Sequence, residues 1–254
     1  MTMDKDTLQV ILQEHDKWVK SATNDGRRAD FTNADLSGVD LKDVDLTHAY
    51  LKNTNLSNAD LRDAILRGAI LVNANLEGAD LTNADLECAN LENSNLSKAT
   101  LEGIVSRGAN LRGVDLCHAD ISYANLSYAN LRYANLRHAN INYADLSHAN
   151  ISYAGLIHAD LTGAELNQAA TEGVMGKRII SVQVDTTRNN NVISYWVDLE
   201  IWTTGCFQGT LEELKESIEE THKDDDFLRE RYYRVIDFIL HEADEDNGRV
   251  RGKS

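Results

Sequence analysis

The chain has 254 residues, of which 42% are hydrophobic and 6% aromatic, with no proline and a formal net charge of −16. Nucleic acids and anionic membrane surfaces bind clustered Lys and Arg, so a chain this acidic, with no basic stripe, is disfavoured as a partner of either. The sequence contains no run of 18 apolar residues and no N-terminal signal segment, and we expect a cytoplasmic protein. Its three cysteines form no close pair, which indicates free thiols.

The first predicted element is a helix over residues 4–20. Its apolar side recurs at i, i+3 and i+4 spacing and comprises Leu8, Ile11, Leu12, His15, Trp18 and Val19. We expect this helix to cover the N-terminal end of the repeat that follows. Trp18 is predicted to be its main apolar contact, and His15 is predicted to lie at the edge of the cap.

A repeat of five residues follows, from residue 29 to residue 168. Of the 28 central positions between Phe31 and Leu166, 26 are Leu or Ile, and Ser106 is the single polar exception. Each unit reads Ala-(Asn/Asp)-Leu-x-x, and we number these positions one to five. A period of five suits neither a helix nor a straight strand. It suits a chain that turns a corner in every pentad, with positions one and three inside and position two outside.

This motif resembles the pentapeptide repeat family. The resemblance implies an all-β solenoid, a right-handed, four-sided β-helix with four pentads per coil and about seven coils. We expect three regions: a capping helix and linker over residues 1–28, the β-helix over 29–168, and a small α/β module over 169–254. Around Ser106 we expect a bulged coil, with Val105 turned partly inward.

The fifth position of the pentad changes character along the repeat. Early pentads carry Asn, Asp or Gly there, which tolerate turns. Later pentads carry an aromatic set that we call the Tyr/His band: His118, Tyr123, Tyr128, Tyr133, His138, Tyr143, His148, Tyr153 and His158. With twenty residues per coil, these side chains would stack in four ladders.

Two interpretations of the Tyr/His band remain open. It is a candidate interaction surface for a protein partner, because Tyr contributes contact area at low entropic cost. Alternatively, the stacked rings only shield the hydrogen bonds between coils. A metal ion between the histidines is disfavoured, because no acidic or thiol ligand lies at matching positions.

After the repeat, residues 178–202 alternate in the manner of strands and predict an antiparallel hairpin with a turn at 186–191. Its second strand is predicted to run from Ile193 to Ile201. Trp196 and Trp202 are expected on the face opposite its apolar row.

Two helices complete the predicted module. Thr210 and Glu213 form a capping box that starts a helix over residues 210–222. A second helix is predicted over residues 227–243, followed by a frayed tail.

The segment from Gly205 to Thr210, with the two helices, looks like the C-terminal module of some bacterial and phage pentapeptide repeat proteins. Cys206 could be considered as a nucleophile with His222 or His241. No basic group lies near it in sequence to lower its pKa, so a structural cysteine is the favoured interpretation.

The sequence therefore predicts a non-enzymatic protein-binding or structural scaffold, with no cofactor, no metal and a protein partner of unknown identity. A homodimer through Trp196, Trp202 and Tyr232 is left open. The alternative is a DNA mimic, since some members of the family present an acidic rod to a DNA-binding enzyme such as gyrase. Against this alternative, the solenoid carries a net charge of only −9, and the Tyr/His band interrupts any phosphate-like surface.

Overall fold

The computed structural model describes residues 3–21, 25–184, 191–205 and 207–251. The chain forms two compact units. The first comprises Met1–Glu165 and Ala169–Gly176, and the second comprises Leu166–Gln168 and Lys177–Ser254. None of the helices in the described part of the chain combines the length and the apolar composition that a membrane crossing requires.

Helix α1 spans Lys5–Lys20 and begins at Asp4, whose carboxylate accepts the Thr7 N–H at 2.9 Å. Three backbone groups join α1 and its flanks to the start of the repeat. Met3 N–H donates to the Asp35 carbonyl at 3.0 Å, and Arg27 N–H donates to the Glu14 carbonyl at 3.0 Å. The third is Ala29 N–H, which donates to His15 Nδ1 at 3.1 Å. The predicted cap over the N-terminal end is therefore present.

The residue that plugs this end differs from the prediction. His15 is fully buried with 0% exposure, whereas Trp18 is half-buried and stacks against the His15 ring at 5.5 Å. The reason is a hydrogen bond: the first pentad presents an N–H at Ala29, and an imidazole can accept it while an indole cannot. The Trp18 ring instead faces the Arg28 guanidinium, whose Cζ lies 5.9 Å from the centroid of the Trp18 ring.

The repeat forms a parallel ladder of single bridges between residues twenty apart, starting with Asp30 and Tyr50 and ending with Gly155 and Met175. Twenty residues contain four pentads, so each pentad pairs with the fourth one along the chain. The bridges continue past residue 168 because Ala170 and Met175 still occupy position two, although Thr171 replaces the central Leu.

One pentad, residues 79–83, illustrates why position two is Asn or Asp. Four of its five N–H groups donate to backbone carbonyls, three of them on neighbouring coils. The fifth, at Thr82, donates to Asp80 Oδ1 at 3.0 Å. Ala79, Leu81 and Asn83 keep their bonds to carbonyls whatever residue occupies position two. Asn and Asp therefore satisfy the N–H that the solenoid geometry leaves over.

The interior is filled by positions one and three. Position three is buried from Phe31 to Leu166, and position one is buried from Ala49 to Ala164, whereas Ala34, Val39 and Val44 in the first coil are half-buried. The bulge predicted around Ser106 is wrong. Ser106 is buried in the ordinary third position, while Val105 points outward with 37% exposure and forms regular bridges. Ile104, also buried, replaces the usual Ala and supplies volume that Ser106 lacks, so the coil keeps its register. The Ser106 hydroxyl has no hydrogen-bond partner among the described residues.

The second unit contains a four-stranded antiparallel sheet in the order β1-β2-β3-β4. The strands are β1 Ile179–Val184, β2 Asn191–Trp196, β3 Ile201–Thr204 and β4 Phe207–Gly209. The single strand predicted from Ile193 to Ile201 is wrong, because residues 197–200 form a turn. The turn restarts the alternation, so Trp202 lies opposite Tyr195 and shares its face, while Trp196 pairs with Ile201.

Two helices pack on the sheet face that carries Trp202. Helix α2 spans Leu211–Thr221 with the predicted capping box, and α3 spans Asp226–Arg251. Their shared core with the strands consists of Val184, Ile193, Trp202, Leu214, Ile218, Tyr232, Ile236 and Ile239. The frayed tail predicted after Asp244 is wrong, since α3 continues to Arg251. Of the turn predicted at residues 186–191, residues 186–190 lie outside the described residues, as does Cys206, while Asn191 begins β2.

Candidate interaction surface

The Tyr/His band lies at the corners of the solenoid, at the third residue of a β-turn. In each pentad the position-one N–H closes this turn on the preceding Leu carbonyl, as Ala134 does with Leu131 at 3.0 Å. All nine band residues have positive φ, between 57° and 61°. Asn, Asp and Gly occupy most of the same turn position in the early pentads. The band therefore places aromatic side chains where the backbone favours small ones.

The band residues form the four predicted ladders. His118, His138 and His158 stack with ring centroids 4.7 and 4.9 Å apart. The Tyr123–Tyr143 and Tyr133–Tyr153 pairs are each separated by 5.3 Å, and Tyr128 stacks on His148 at 4.5 Å. The prediction that residues twenty apart stack is confirmed.

These stacked rings remain open to solvent. Tyr123, Tyr128, Tyr133 and Tyr143 are 61%, 54%, 48% and 56% exposed. The four histidines are exposed as well, and only Tyr153 is half-buried. Each ladder thus presents ring edges outward while the ring faces contact one another.

Arginines at position four lie among the rings. Arg112 and Arg132 lie over the Tyr133 ring at 5.2 and 5.4 Å, and Arg132 also lies 5.5 Å from the Tyr153 ring. At another corner, Arg107 lies 5.3 Å from the Tyr128 ring. Such cation–π contacts hold the guanidinium groups flat beside the ladders.

The surroundings of His138, the central member of the His ladder, shift its pKa. Partial desolvation and the neighbouring His118 and His158 rings lower the pKa of His138, and Arg137 acts in the same direction. The neutral form of the His138 imidazole is therefore favoured near neutral pH. Among the described residues, no group of three or more His, Cys, Asp or Glu side chains could hold a metal ion.

Sequence reasoning found the nine band residues and their ladders but missed two features. It did not identify the strained backbone on which the aromatic residues stand, although the Asn and Gly at the same position upstream signalled positive φ. It also missed the four arginines at position four, Arg107, Arg112, Arg132 and Arg137. Arg107, Arg112 and Arg132 each lie near a ring of the following coil, so these contacts depend on the twenty-residue pairing.

Comparisons with known proteins agree with this architecture. A family model described as pentapeptide repeats matches eight copies between residues 25 and 168, leaving out residues 105–106. A solved structure of HetL, a pentapeptide repeat protein involved in heterocyst differentiation regulation in the cyanobacterium Nostoc sp. strain PCC 7120, is 33% identical. The alignment covers 59% of this chain and 73% of HetL, with a TM-score of 0.34.

Another solved structure that is similar in part is that of QnrB1, a plasmid-mediated fluoroquinolone resistance protein. It is 17% identical over 57% of this chain and 82% of QnrB1, with a TM-score of 0.29. The search of curated proteins gives no match. Because the family model covers more than half of the chain, the chain belongs to the pentapeptide repeat family.

Proposed function

We propose that the chain is a non-enzymatic scaffold that binds a protein partner through the Tyr/His band. The band is carried by a solenoid that we take to be right-handed and four-sided, with about seven coils. The supporting observation is that exposed aromatic side chains occupy turn positions with positive φ.

At these corners the cost of the left-handed backbone exceeds the energy gained from stacking the rings. A left-handed backbone costs a residue other than Gly about 1–2 kcal/mol, so a stacked Tyr pair such as Tyr133 and Tyr153 carries about 2–4 kcal/mol. Stacking of one aromatic pair contributes only about 0.5–1.5 kcal/mol. Stability alone therefore favours Asn or Gly at these corners, and a binding role accounts for the aromatic residues.

The interior offers little room for an enzymatic site in the solenoid, because position three is buried from Phe31 to Leu166 and position one from Ala49 to Ala164. The chemistry of this unit is confined to its corners and to the outward second positions. Those second positions are largely occupied with turn hydrogen bonds, such as Thr47 N–H to Asp45 and Ser147 N–H to Asp145. The corner side chains of the Tyr/His band are therefore the groups of this unit that are available to contact a partner.

The test is capture of partners from a cell extract by the full chain and by a Tyr123→Asn, Tyr133→Asn, Tyr143→Asn variant. Asn suits positive φ, so the variant should fold, and we expect it to lose the captured partner. The matched control carries Asp63→Gly, Asn73→Gly and Asn83→Gly at the same corners further upstream, and should retain capture. Equal capture by the Tyr variant would leave the band with a structural role only.

The second candidate is a DNA mimic, favoured by the column of carboxylates at Asp40, Asp60 and Asp80, which bridge one another on successive coils. Two observations weigh against it. Each carboxylate accepts the N–H two residues later, and Arg62 neutralises Asp60 through a direct ion pair. Coils repeat at about 4.8 Å, whereas phosphates along one DNA strand repeat at about 3.4 Å.

The mimic predicts inhibition of a purified topoisomerase such as gyrase. Asp60→Asn and Asp80→Asn keep the turn acceptor and remove the charge, so a true mimic should lose inhibition while keeping its fold. Absence of inhibition by the unaltered chain would remove this candidate.

A further inference from the structure

The fourth and fifth pentad positions, which form the corners, differ in charge along the solenoid. In the N-terminal part, residues 29–103, the corners carry six acidic residues: Asp43, Asp63, Glu77, Glu87, Glu92 and Glu102. In the C-terminal part, residues 104–163, they carry none, while they carry four arginines and all nine members of the Tyr/His band. The corners of the three coils formed by residues 104–163 are therefore cationic and aromatic. The next acidic corner residue is Glu172, which accepts the Tyr153 hydroxyl.

The four acidic residues of the C-terminal part all lie at position two, and their Oδ1 atoms are engaged. Asp115 accepts Cys117 N–H, Asp120 accepts Ser122 N–H, Asp145 accepts Ser147 N–H, and Asp160 accepts Thr162 N–H. Amide groups from the next coil add further bonds, from Asn135 to Asp115 and from Asn140 to Asp120, both at 2.9 Å. These carboxylates accept hydrogen bonds within the turns, and the charged groups at the corners of residues 104–163 are the four arginines.

One corner holds its guanidinium groups in place before any ligand arrives. Arg112, Tyr133, Arg132 and Tyr153 form an interleaved set in which the guanidinium groups lie 5.2–5.5 Å from ring centroids. Arg112 retains an ion pair with Glu92 at 3.1 Å. Among the described residues, Arg132 and Arg137 form no ion pair within 4.0 Å, although the charge of Glu172 acts on Arg132 from a greater distance. A flat, prepositioned guanidinium binds carboxylate oxygens two at a time at reduced entropic cost.

On this basis we propose that the corners of residues 104–163 bind an Asp- and Glu-rich segment of a protein partner, with Arg132 and Arg137 as its carboxylate contacts. The inference rests on the proposed function and names the chemistry of the partner. Arg132 and Arg137 stand at position four of consecutive pentads in the same coil. The three cationic coils extend only about 14 Å along the solenoid, roughly the length of four residues of an extended strand. A short acidic segment therefore fits.

A nucleic acid is the less favoured polyanion. The N-terminal part carries 13 acidic and five basic residues, and the whole chain has a net charge of −16. A long, continuous polyanion lying along the solenoid would meet this repulsion, whereas a short peptide segment occupies the cationic coils alone.

The experiment selects random 12-residue displayed peptides against the full chain, an Arg132→Glu, Arg137→Glu variant and a Lys42→Glu, Lys52→Glu control. The control makes the same charge change at exposed position-four sites in the N-terminal part. We expect the unaltered chain and the control to enrich Asp- and Glu-rich peptides. A selected peptide should bind the Arg variant about tenfold more weakly by fluorescence anisotropy at 50 mM salt. Circular dichroism should show the same fold in all three proteins.

Acidic peptides that bind the Arg variant as well as the unaltered chain would overturn the inference. So would tighter binding of the oligonucleotide dT12 than of the selected peptide. If the enriched peptides are neutral and lose binding in the Tyr123→Asn, Tyr133→Asn, Tyr143→Asn variant, the proposed function stands and this inference fails. If the unaltered chain enriches no peptide, both are contradicted.

Discussion

The N-terminal part of the solenoid, residues 29–103, and the C-terminal part, residues 104–163, share one interior and one hydrogen-bond scheme. In both, position three is buried and position one is largely so, and an Asn or Asp at position two accepts the N–H two residues later, as in Asp80 with Thr82 and Asp120 with Ser122. They differ at the corners, where Asn, Gly and acidic residues give way to Tyr, His and Arg. Three positions therefore specify the fold, and two are free to vary with function.

The corner residues also differ in backbone compatibility. Asn53, Asn73 and Asn93 stand at positive φ on the same corner as Tyr133 and Tyr153. Asn adopts this conformation readily and Tyr does not. The C-terminal part carries this strain at nine corners, whereas the N-terminal part carries it at three, His48, Cys88 and Lys98. A concentration of backbone strain is typical of functional surfaces.

The largest expected effect tests the shared interior. Leu81→Ala and Leu131→Ala each remove a fully buried side chain, one in each part. We expect each to lower the free energy of unfolding by about 2–5 kcal/mol, since both leave a cavity in a packed interior. Urea unfolding followed by circular dichroism measures this. A negligible loss in one part alone would show that the two interiors are not equivalent.

The next effect tests the shared turn acceptor. Asn75 accepts Glu77 N–H at 3.3 Å in the N-terminal part, and Asn130 accepts Arg132 N–H at 3.3 Å in the C-terminal part. Replacing either by Ala leaves a backbone N–H without its partner and should cost about 1–3 kcal/mol of unfolding free energy. The controls Asn75→Asp and Asn130→Asp keep the acceptor and should lose less. Equal losses for Ala and Asp would show that the acceptor is unimportant.

A reciprocal exchange tests the corners directly. Asn73→Tyr places an aromatic residue at positive φ between Asn53 and Asn93, without a ring to stack on, and should destabilise by about 1–2 kcal/mol. Tyr133→Asn relieves strain but loses stacking on Tyr153, so its unfolding free energy should change by less than about 1 kcal/mol. Thermal unfolding of both variants checks this. A stabilising Asn73→Tyr would refute the strain argument.

The smallest expected effect is on pH dependence and involves His15 in α1, at the start of the N-terminal part, and His138 in the C-terminal part. Burial lowers the pKa of His15 below its ordinary 6.5, and the stacked neighbours contribute to a lowered pKa for His138. Between the folded pKa and 6.5 the unfolded chain binds more protons than the folded chain. Stability should therefore be fully present above about pH 6.5 and decline as the pH falls below it.

Two variants separate these contributions. His15→Gln keeps an acceptor for Ala29 N–H without a titrating ring, and His138→Asn restores the residue type that suits positive φ. Each should flatten the decline in urea-unfolding free energy between pH 7.5 and 5.5. The flattening should be greater for His15, which is fully buried, than for the exposed His138. An unchanged pH profile in both variants would contradict the assignment.

Much of the candidate surface could be predicted from the sequence, because the repeat is strictly local in its rules. The period of five identified the buried residues, and twenty residues per coil placed the rings in ladders. The predictions were wrong where contacts with other residues decide the structure. Ile104 compensates for the small Ser106, so the predicted bulge does not form. The turn at residues 197–200 interrupts a strand although the apolar alternation continues through it in the sequence. Neither volume compensation nor a restarted register leaves a periodic signal.

The sequence by itself determined the solenoid, its interior and the positions of the Tyr/His band, since a five-residue period allows only one set of residues to face inward. Only the tertiary structure decided that His15 is the buried plug of the N-terminal end, because Ala29 N–H needs an acceptor fourteen residues away along the chain. It also decided that Arg132 lies beside both Tyr133 and Tyr153, since Tyr153 comes from the following coil. Contacts between coils join residues twenty apart, and their geometry depends on the stacking of whole coils.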